Sequence, residues 1–382
     1  MKKIKVMHMI WSMGDGGAQQ VIINYLRDFY NDPDIELKLY VYTKPTSSKY
    51  DKEIAEKGYN VIYLNNPKTR IQIPYIRRYF QRPISQRTWE TAIHEYNPDI
   101  VHVHISELLD ATIPGIVNNN IPVRFDTLHS SPYRYTGKIK RVISDAFQNK
   151  NVIPVCVTEA QVKEAKEWYG IVNYEVVHNG VDIEGIRKDC CSKHDARKEF
   201  NIDDSAFVII GVGRLNPIKN FSLLIEAFAK VHNICKDSVL IIAGDGKEKD
   251  KLIKKAKDYG IEQSVRFLGN ITNVTKLYCA ADVLAVTSDT ESSSLVSIEA
   301  QTCGTRCVLS AGVPKESVLL NNTQRLNENA SVKDWCSALL NESYSGIPGA
   351  NVEDYEVHNM SRRMKEIYLK YYSAYEDKYM GR

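Results

Sequence analysis

The sequence contains no apolar run of about 20 residues, the length a helix needs to cross a bilayer, so nothing in it reads as a membrane span. It has no C-x-x-C pair, and its eight cysteines show no zinc-type spacing with histidine, which argues against a metal-stapled fold. Cys190 and Cys191 adjoin, while Cys303 and Cys307 stand four apart, close enough to share a helix-to-turn face. Without a disulfide framework, buried free thiols in a reducing cytoplasm are the plain reading. Neither sign of charge dominates: 50 Lys+Arg face 47 Asp+Glu, and a net charge of +3 carries no global nucleic-acid signature. No G-x-G-x-x-G opens either half, which speaks against a dinucleotide dehydrogenase. No D-x-D stands at a strand end suited to a metal. Asp32-Pro33-Asp34 has the spacing, but its proline and polar setting mark a turn. The opening run MKKIKVMHMIW stops at Trp11 and meets Gly14-Asp15-Gly16-Gly17 at once. It is too short for the apolar core of a leader and fits an opening strand better.

What is present is alternation. Short β-branched runs recur at 4–9, 37–42, 61–64, 100–104, 123–128 and 152–157, then at 208–212, 239–243, 265–268, 283–286 and 306–309. Helical patterns lie between most of them, as at 20–30, 221–233, 247–259 and 295–303. A chain of 382 residues exceeds what one core usually holds, and strand–helix alternation means parallel, doubly wound sheets. Two such series predict two facing Rossmann-like α/β domains with a cleft between them. The polar stretch between Val181 and Lys198 marks the boundary. The expected division is 1–182 and 183–360, with a helical tail over 361–382 packing back on the first domain.

Three segments carry the chemistry. The first is the Gly-rich turn W-S-M-G-D-G-G-A-Q-Q ahead of an apolar helix. Here Gly16 and Gly17 would let backbone amides approach an anion, although such a turn is often only a turn. The second is VIIGVGRLNPIKN (208–220), where Gly213, Arg214 and Lys219 follow a buried strand. Two cations five apart at that edge suit a diphosphate, against the alternative of solvated loop charges. The third runs from Glu291 through Ser292-Ser293-Ser294 to Glu299 and Gly304. Ser294 would cap a helix whose first amides, at Leu295 and Val296, face an anion. Glu299, flanked by apolar and small residues, would accept from ribose hydroxyls, and Glu291 would hold sugar hydroxyls. The bland alternative makes them a loop acid and a solvated helix acid.

In order and spacing over nearly the whole chain, these segments resemble the family 4 glycosyltransferases of the GT-B fold. Gly16-Gly17-Ala18-Gln19 stands where that family has a Gly-Gly-x-Glu-like loop. Gly213-Arg214 through Lys219 matches G-R-x-x-x-x-K, and Glu291 and Glu299 match E-x7-E. PDIVHVH (98–104), VVHNGVD (176–182), LIIAGDG (240–246), RFLGNI (266–271) and LYCAADVLAVTSDTES (277–292) support it. EAQTCGTRCVLSAGVPKES resembles members that build bacterial capsule or exopolysaccharide.

The resemblance implies a retaining transfer from a nucleotide sugar, most commonly of uridine, with no metal or cofactor. Arg214 and Lys219 would bind the diphosphate, Glu299 the ribose and Glu291 the transferred sugar. Gly16, Gly17, Gly213 and Gly244 would give backbone approach, Phe267 and Leu268 would meet the base, and His129 would reach the donor sugar. The acceptor would be a lipid-linked or glycan hydroxyl, and the setting cytoplasmic, peripheral on the inner face of the plasma membrane. Three departures stand out: Gln19 for an acid, Ser292–Ser294 for glycines, and Arg306 for a proline. The first two motivate an alternative, a non-catalytic protein that only binds a nucleotide sugar or a partner enzyme. A nucleotide-sugar epimerase is a further alternative. Two clusters, 68–89 (Lys68, Arg70, Arg77, Arg78, Arg82 and Arg87 among Tyr75, Tyr79, Phe80 and Trp89) and 134–141, suit an anionic membrane surface and a lipid-pyrophosphate acceptor, with nucleic acid as the competing reading and a solvated basic face as the plain one.

Overall fold

Alternating runs such as IKVMHMI and IVHVH send successive side chains to opposite faces of a sheet, and both faces here are buried, as a parallel sheet between helices requires. In the computed structural model, which describes residues 2–14, 16–65, 74–379 and 381 but not the side chains of 71–81, the chain forms two such sheets. The first has strands β1 (Ile4–Ile10), β2 (Ile35–Val41), β3 (Val61–Tyr63), β4 (Ile100–His104), β5 (Val123–Thr127), β6 (Val152–Cys156) and β7 (Glu175–Val176). The second has β8 (Phe207–Val212), β9 (Ser238–Ala243), β10 (Val265–Gly269), β11 (Val283–Val286), β12 (Arg306–Leu309) and β13 (Gln324–Arg325). The orders are β3-β2-β1-β4-β5-β6-β7 and β10-β9-β8-β11-β12-β13, parallel at every named pairing. Each sheet therefore reverses its winding once, between β1 and β4 and between β8 and β11. Ligands of open α/β sheets bind beyond the strand ends at such a point.

Two compact units follow these sheets: 1–180 with 357–382, and 181–356. In the first, Val6, Ile10 and Ile100 pack with helices Gly17–Phe29 and Val357–Tyr379, while Met7, Met9, Val101 and Val103 face helices that include Pro74–Tyr96 and Gly137–Asn149. The last helix starts at Val357, four residues before the sequence pattern places it, and buries Met364, Ile367 and Tyr368 in that core. Gly180 is dictated by packing, since a Cβ there would lie 2.6 Å from Val357 Cα. In the second unit, helices Phe221–Ile234, Lys249–Asp258 and Val332–Leu340 cover one face. Val274–Ala280 and Leu295–Thr302 cover the other. Arg306, in place of the expected proline, is buried and donates to the carbonyls of Ala338 and Leu339, the last of helix Val332–Leu340.

One sequence reading is corrected. Trp89, placed among the membrane-facing aromatics, is fully buried and stacks on Tyr42. It shares the core with Ala92, Ile93 and Tyr96, at the spacing of one helix face. Cys307 is buried on β12, and Cys303 packs against the same core cluster while also meeting other thiols. Lys68 and Arg70 lie outside the described residues, as do the side chains of Tyr75, Arg77, Arg78, Tyr79 and Phe80.

Candidate active site

In the second unit the loops after β8 and β11 form the switch point. β8 ends into Gly213, whose N–H donates to Ala243 O at 2.9 Å, and Gly244 N–H donates to Gly269 O at 2.7 Å. The tips of β8, β9 and β10 are thereby joined. Gly244 has φ +136°, and a Cβ on it would stand 1.9 Å from Gly213 O, so only glycine fits. Arg214 follows, exposed. Asn216 Oδ1 accepts from Lys219 N at 3.1 Å and closes a 3₁₀ turn over Pro217–Lys219. Asn220 then starts the next helix.

This turn is fastened to the loop after β11. Thr287 Oγ1 donates to Lys219 O at 2.9 Å, Asp289 N to Ile218 O at 2.8 Å, and Asn220 Nδ2 to Asp289 Oδ1 at 3.0 Å. Across the joint, Lys219 Nζ lies 2.5 Å from Glu291 Oε1, which also accepts from Ser288 Oγ at 2.7 Å. Their side chains keep 25% and 11% exposure, so the pair is half-withdrawn from water, where charge interactions strengthen. Glu291 is thus not a solvated loop acid. The ion pair brings the two predicted residues together across 72 positions of sequence.

Helix Leu295–Thr302 begins beside Glu291. Ser294 occupies its N-cap position but makes no capping bond, contrary to expectation. Instead its carbonyl accepts from Ser297 N at 3.0 Å and Ser297 Oγ at 2.9 Å. The hydroxyls of Ser292, Ser293 and Ser294 are buried with no hydrogen-bond partner among the described residues. The amides of Leu295 and Val296 precede the helix's first intrahelical acceptor. This end therefore offers three hydroxyls and two amides to an incoming acceptor-rich ligand.

One turn on, Glu299 is partly buried and accepts from Tyr278 OH at 2.8 Å. Burial, then the Glu299 charge, pushes the Tyr278 phenol well above its ordinary range, so it stays a donor. Glu299 is accordingly an oriented carboxylate. Gln301, missed in the sequence, is buried and accepts from Leu319 N (2.7 Å), Leu320 N (3.0 Å) and Thr323 Oγ1 (2.9 Å), which fixes the helix. Phe267 and Leu268 sit on edge strand β10, packed to opposite faces of the sheet, where the register with β9 slips between Phe267 and Gly269.

The first unit's switch point has a different chemistry. Gly16 caps helix Gly17–Phe29 in an extended conformation without a side-chain bond, and no acid stands in the first turn. Gln19 Nε2 donates to Ser12 O at 3.0 Å, and the Thr46 and Ser48 hydroxyls both donate to Met13 O, so side chains tie the turn down. Asp15 lies outside the described residues.

Below the turn runs a chain of rings. His8 is register partner to His102, and His102 and His104 share one face of β4 by strand alternation. Thr127 Oγ1 meets His102 Nε2 at 2.6 Å, and His102 Nδ1 meets Tyr368 OH at 2.5 Å. Tyr368 OH meets His8 Nε2 at 2.8 Å, His8 Nδ1 meets His104 Nε2 at 3.1 Å, and His104 Nδ1 meets His129 Nε2 at 2.9 Å. Five links join six side chains, and each link needs one hydrogen. Four neutral imidazoles and two hydroxyls satisfy all of them, with the Tyr368 hydrogen itself used in the chain, only if every donor points the same way. Reversing all five switches His129 Nε2 from acceptor to donor.

Burial drives the neutrality. It holds His8 down at about 3, with His129 adding to it, and His129 likewise at about 3, while His102 and His104 fall well below the ordinary value. His8, His102, His104 and Tyr368 have no exposure, whereas His129 retains some, so the predicted residue is the chain's open end. Only His129 is singled out by sequence. The H-x-H on β4 signals a shared face, but Tyr368, 360 residues beyond His8, gives no local sign.

His8, His102 and His104 hold ring nitrogens close enough for a metal ion, yet all six nitrogens are engaged in the chain. A second cluster, Cys190, Cys279 and Cys303, has Sγ atoms within 4.8 Å of one another.

Comparison with known proteins adds the following. The model of Glycosyltransferase Family 4 matches residues 16–184, and that of Glycosyl transferases group 1 matches 192–339. N-acetyl-alpha-D-glucosaminyl L-malate synthase of Bacillus anthracis is 26% identical over 281 residues, 67% of this chain and 72% of that protein. EpsF of Bacillus subtilis is 21% identical over 353 residues, 90% of this chain and 89% of EpsF. Among solved structures, HepE of Anabaena in complex with UDP-glucose matches with a TM-score of 0.78 at 17% identity, over 96% of this chain and 100% of HepE.

Proposed function

We propose, from the premise that this chain belongs to the family 4 glycosyltransferases and has their GT-B-type fold, that it is a retaining, metal-independent transferase using a UDP-sugar. The observation that carries this reading is the Lys219–Glu291 pair, pinned at a switch point beside Arg214 and the open start of helix Leu295–Thr302. Arg214 and Lys219 offer two fixed cations to a diphosphate, the electrostatic work that other transferases give to a divalent ion. Glu299, aimed by Tyr278, receives ribose hydroxyls, and Glu291 receives those of the sugar. A uridine donor is favoured by the likeness to HepE, which was solved with UDP-glucose.

In the transfer, the bond from the anomeric carbon to the diphosphate breaks and a bond to the acceptor oxygen forms on the same face. The acceptor proton passes to the departing phosphate oxygen, and the cations hold the nucleoside diphosphate as it leaves.

The acceptor in this reading is a lipid-linked or glycan hydroxyl of surface polysaccharide assembly. It rests on the capsule-like phrase at 299–317 and on exposed Arg87, Arg134, Lys138 and Arg141, a basic face suited to the anionic inner leaflet. The test is a donor panel incubated in EDTA with and without bacterial lipid extract, reading released nucleoside diphosphate. Lipid-dependent release from one UDP-sugar, lost in Arg214→Ala and Lys219→Ala, supports the proposal. A donor that binds but never turns over favours a non-catalytic partner, and a changed sugar formed without acceptor favours an epimerase.

A further inference from the structure

The second unit brings together four cysteines from three separate stretches of the sequence. Cys190 directly follows helix Ile183–Asp189, Cys279 sits within helix Val274–Ala280, and Cys303 terminates helix Leu295–Thr302. Their three sulfurs lie within 4.8 Å of one another, and the Cys191 thiol hydrogen-bonds Cys279. All four are partly exposed and line a surface cavity of about 480 Å³, together with Lys193.

We propose that Cys190, Cys279 and Cys303 bind a thiophilic d¹⁰ metal ion of the zinc class, with Cys191 placed to supply a fourth ligand. Tetrahedral thiolate coordination at a metal–sulfur distance of about 2.3 Å sets sulfurs about 3.8 Å apart, so the observed cluster needs a contraction of at most about 1 Å. The contrast with the histidine cluster is instructive. There every ring nitrogen is already engaged, whereas here the groups facing one another are thiols, which exchange a weak S–H hydrogen bond for a metal–sulfur bond and release the proton to solvent.

The position gives the ion a role distinct from catalysis. Cys303 closes the helix that carries Glu299, and Cys279 adjoins Tyr278, the donor that orients Glu299. An ion there ties both supports of that carboxylate together and to Cys190. It contacts no reacting atom, so the inference stands whether or not the donor is a UDP-sugar.

The test uses the full chain, purified with a phosphine reductant, loaded with zinc and desalted. One equivalent of zinc is expected to remain, and cobalt(II) substitution is expected to give thiolate-to-metal charge transfer with the visible bands of a tetrahedral site. Cys279→Ser and Cys303→Ser should each weaken binding at least 100-fold, and Cys235→Ser should leave it unchanged. Should either serine variant unfold, Cys190→Ser at the helix end, checked by circular dichroism, carries the same expectation. Retention of no zinc, absence of charge transfer, affinity indifferent to these serines, or a disulfide forming in place of ion binding would each overturn the proposal.

Discussion

The two units place their switch points alike and fill them with opposite chemistry. The second gathers charge: Arg214 is exposed, and Lys219 and Glu291 form a half-buried pair on loops knitted by three further bonds. The first suppresses charge: four imidazoles, one phenol and one hydroxyl form a chain whose neutrality burial enforces. The same parallel topology thus supplies either fixed ions or a tautomeric chain. Which one it supplies depends on whether polar residues sit in the loops beyond the strands or on a buried face of the strands themselves.

Breaking the charged site should have the largest effect. Lys219→Ala removes a cation and strands Glu291, and turnover of the identified donor should fall about 10²–10³-fold, as when one preorganised donor to a leaving group is lost. Steady-state kinetics in EDTA read this directly. Lys219→Arg should recover only part of the loss, because a guanidinium does not reproduce a single ammonium–carboxylate contact.

The neutral chain should respond first in stability and in pH. Tyr368→Phe removes the hydroxyl linking His102 to His8 and leaves two buried nitrogens unpaired, at a cost of about 1–3 kcal/mol in urea unfolding. The chain's histidines are neutral when folded and titrate at about 6.5 when unfolded. Between that value and about 3 the unfolded state binds more protons, so stability is full above about 6.5 and falls with pH below it. Unfolding at pH 5 should therefore take up more than one proton, and a His8→Phe variant should take up fewer.

A smaller effect sharpens the comparison at the edge of the charged site. Tyr278→Phe leaves Glu299 in place without its 2.8 Å donor, and should raise the KM for the donor a few-fold with little change in kcat. Asp126 supplies the converse case in the first unit. It is buried with neither oxygen in a well-formed hydrogen bond, and burial, only partly offset by Ser106, raises its carboxyl well above the usual range. Its contribution is full below pH of about 4 and lost as pH rises through the raised value. Asp126→Asn should therefore raise the unfolding midpoint more at pH 8 than at pH 5.

The sequence reveals the strands well, because β-branched runs of four to seven residues need no tertiary information. It misses β7 and β13, two-residue edge strands too short to show a period. Arg214, Lys219, Glu291 and Glu299 are visible because the loops bearing them follow strand ends. Their pairing is not visible, since Lys219 meets Glu291 only through the β8–β11 adjacency. The thiol cluster and the ring chain stay hidden for the same reason: Cys190, Cys279 and Cys303, like His8, His102 and Tyr368, are assembled by sheet order and helix return rather than by spacing. Trp89 shows the converse error. Reading it by its basic neighbours obscured the apolar stripe it shares with Ala92, Ile93 and Tyr96.

In the proposed transferase, the second unit's own cations hold the donor diphosphate, and the first unit's neutral chain takes no part in that task. Calorimetric titration of UDP into the full chain in EDTA tests this most directly. Binding is expected without divalent metal, weakened at least 100-fold in Arg214→Ala and Lys219→Ala and unchanged within twofold in His129→Gln and Tyr368→Phe. Binding that requires magnesium, or that survives loss of both cations, would contradict it.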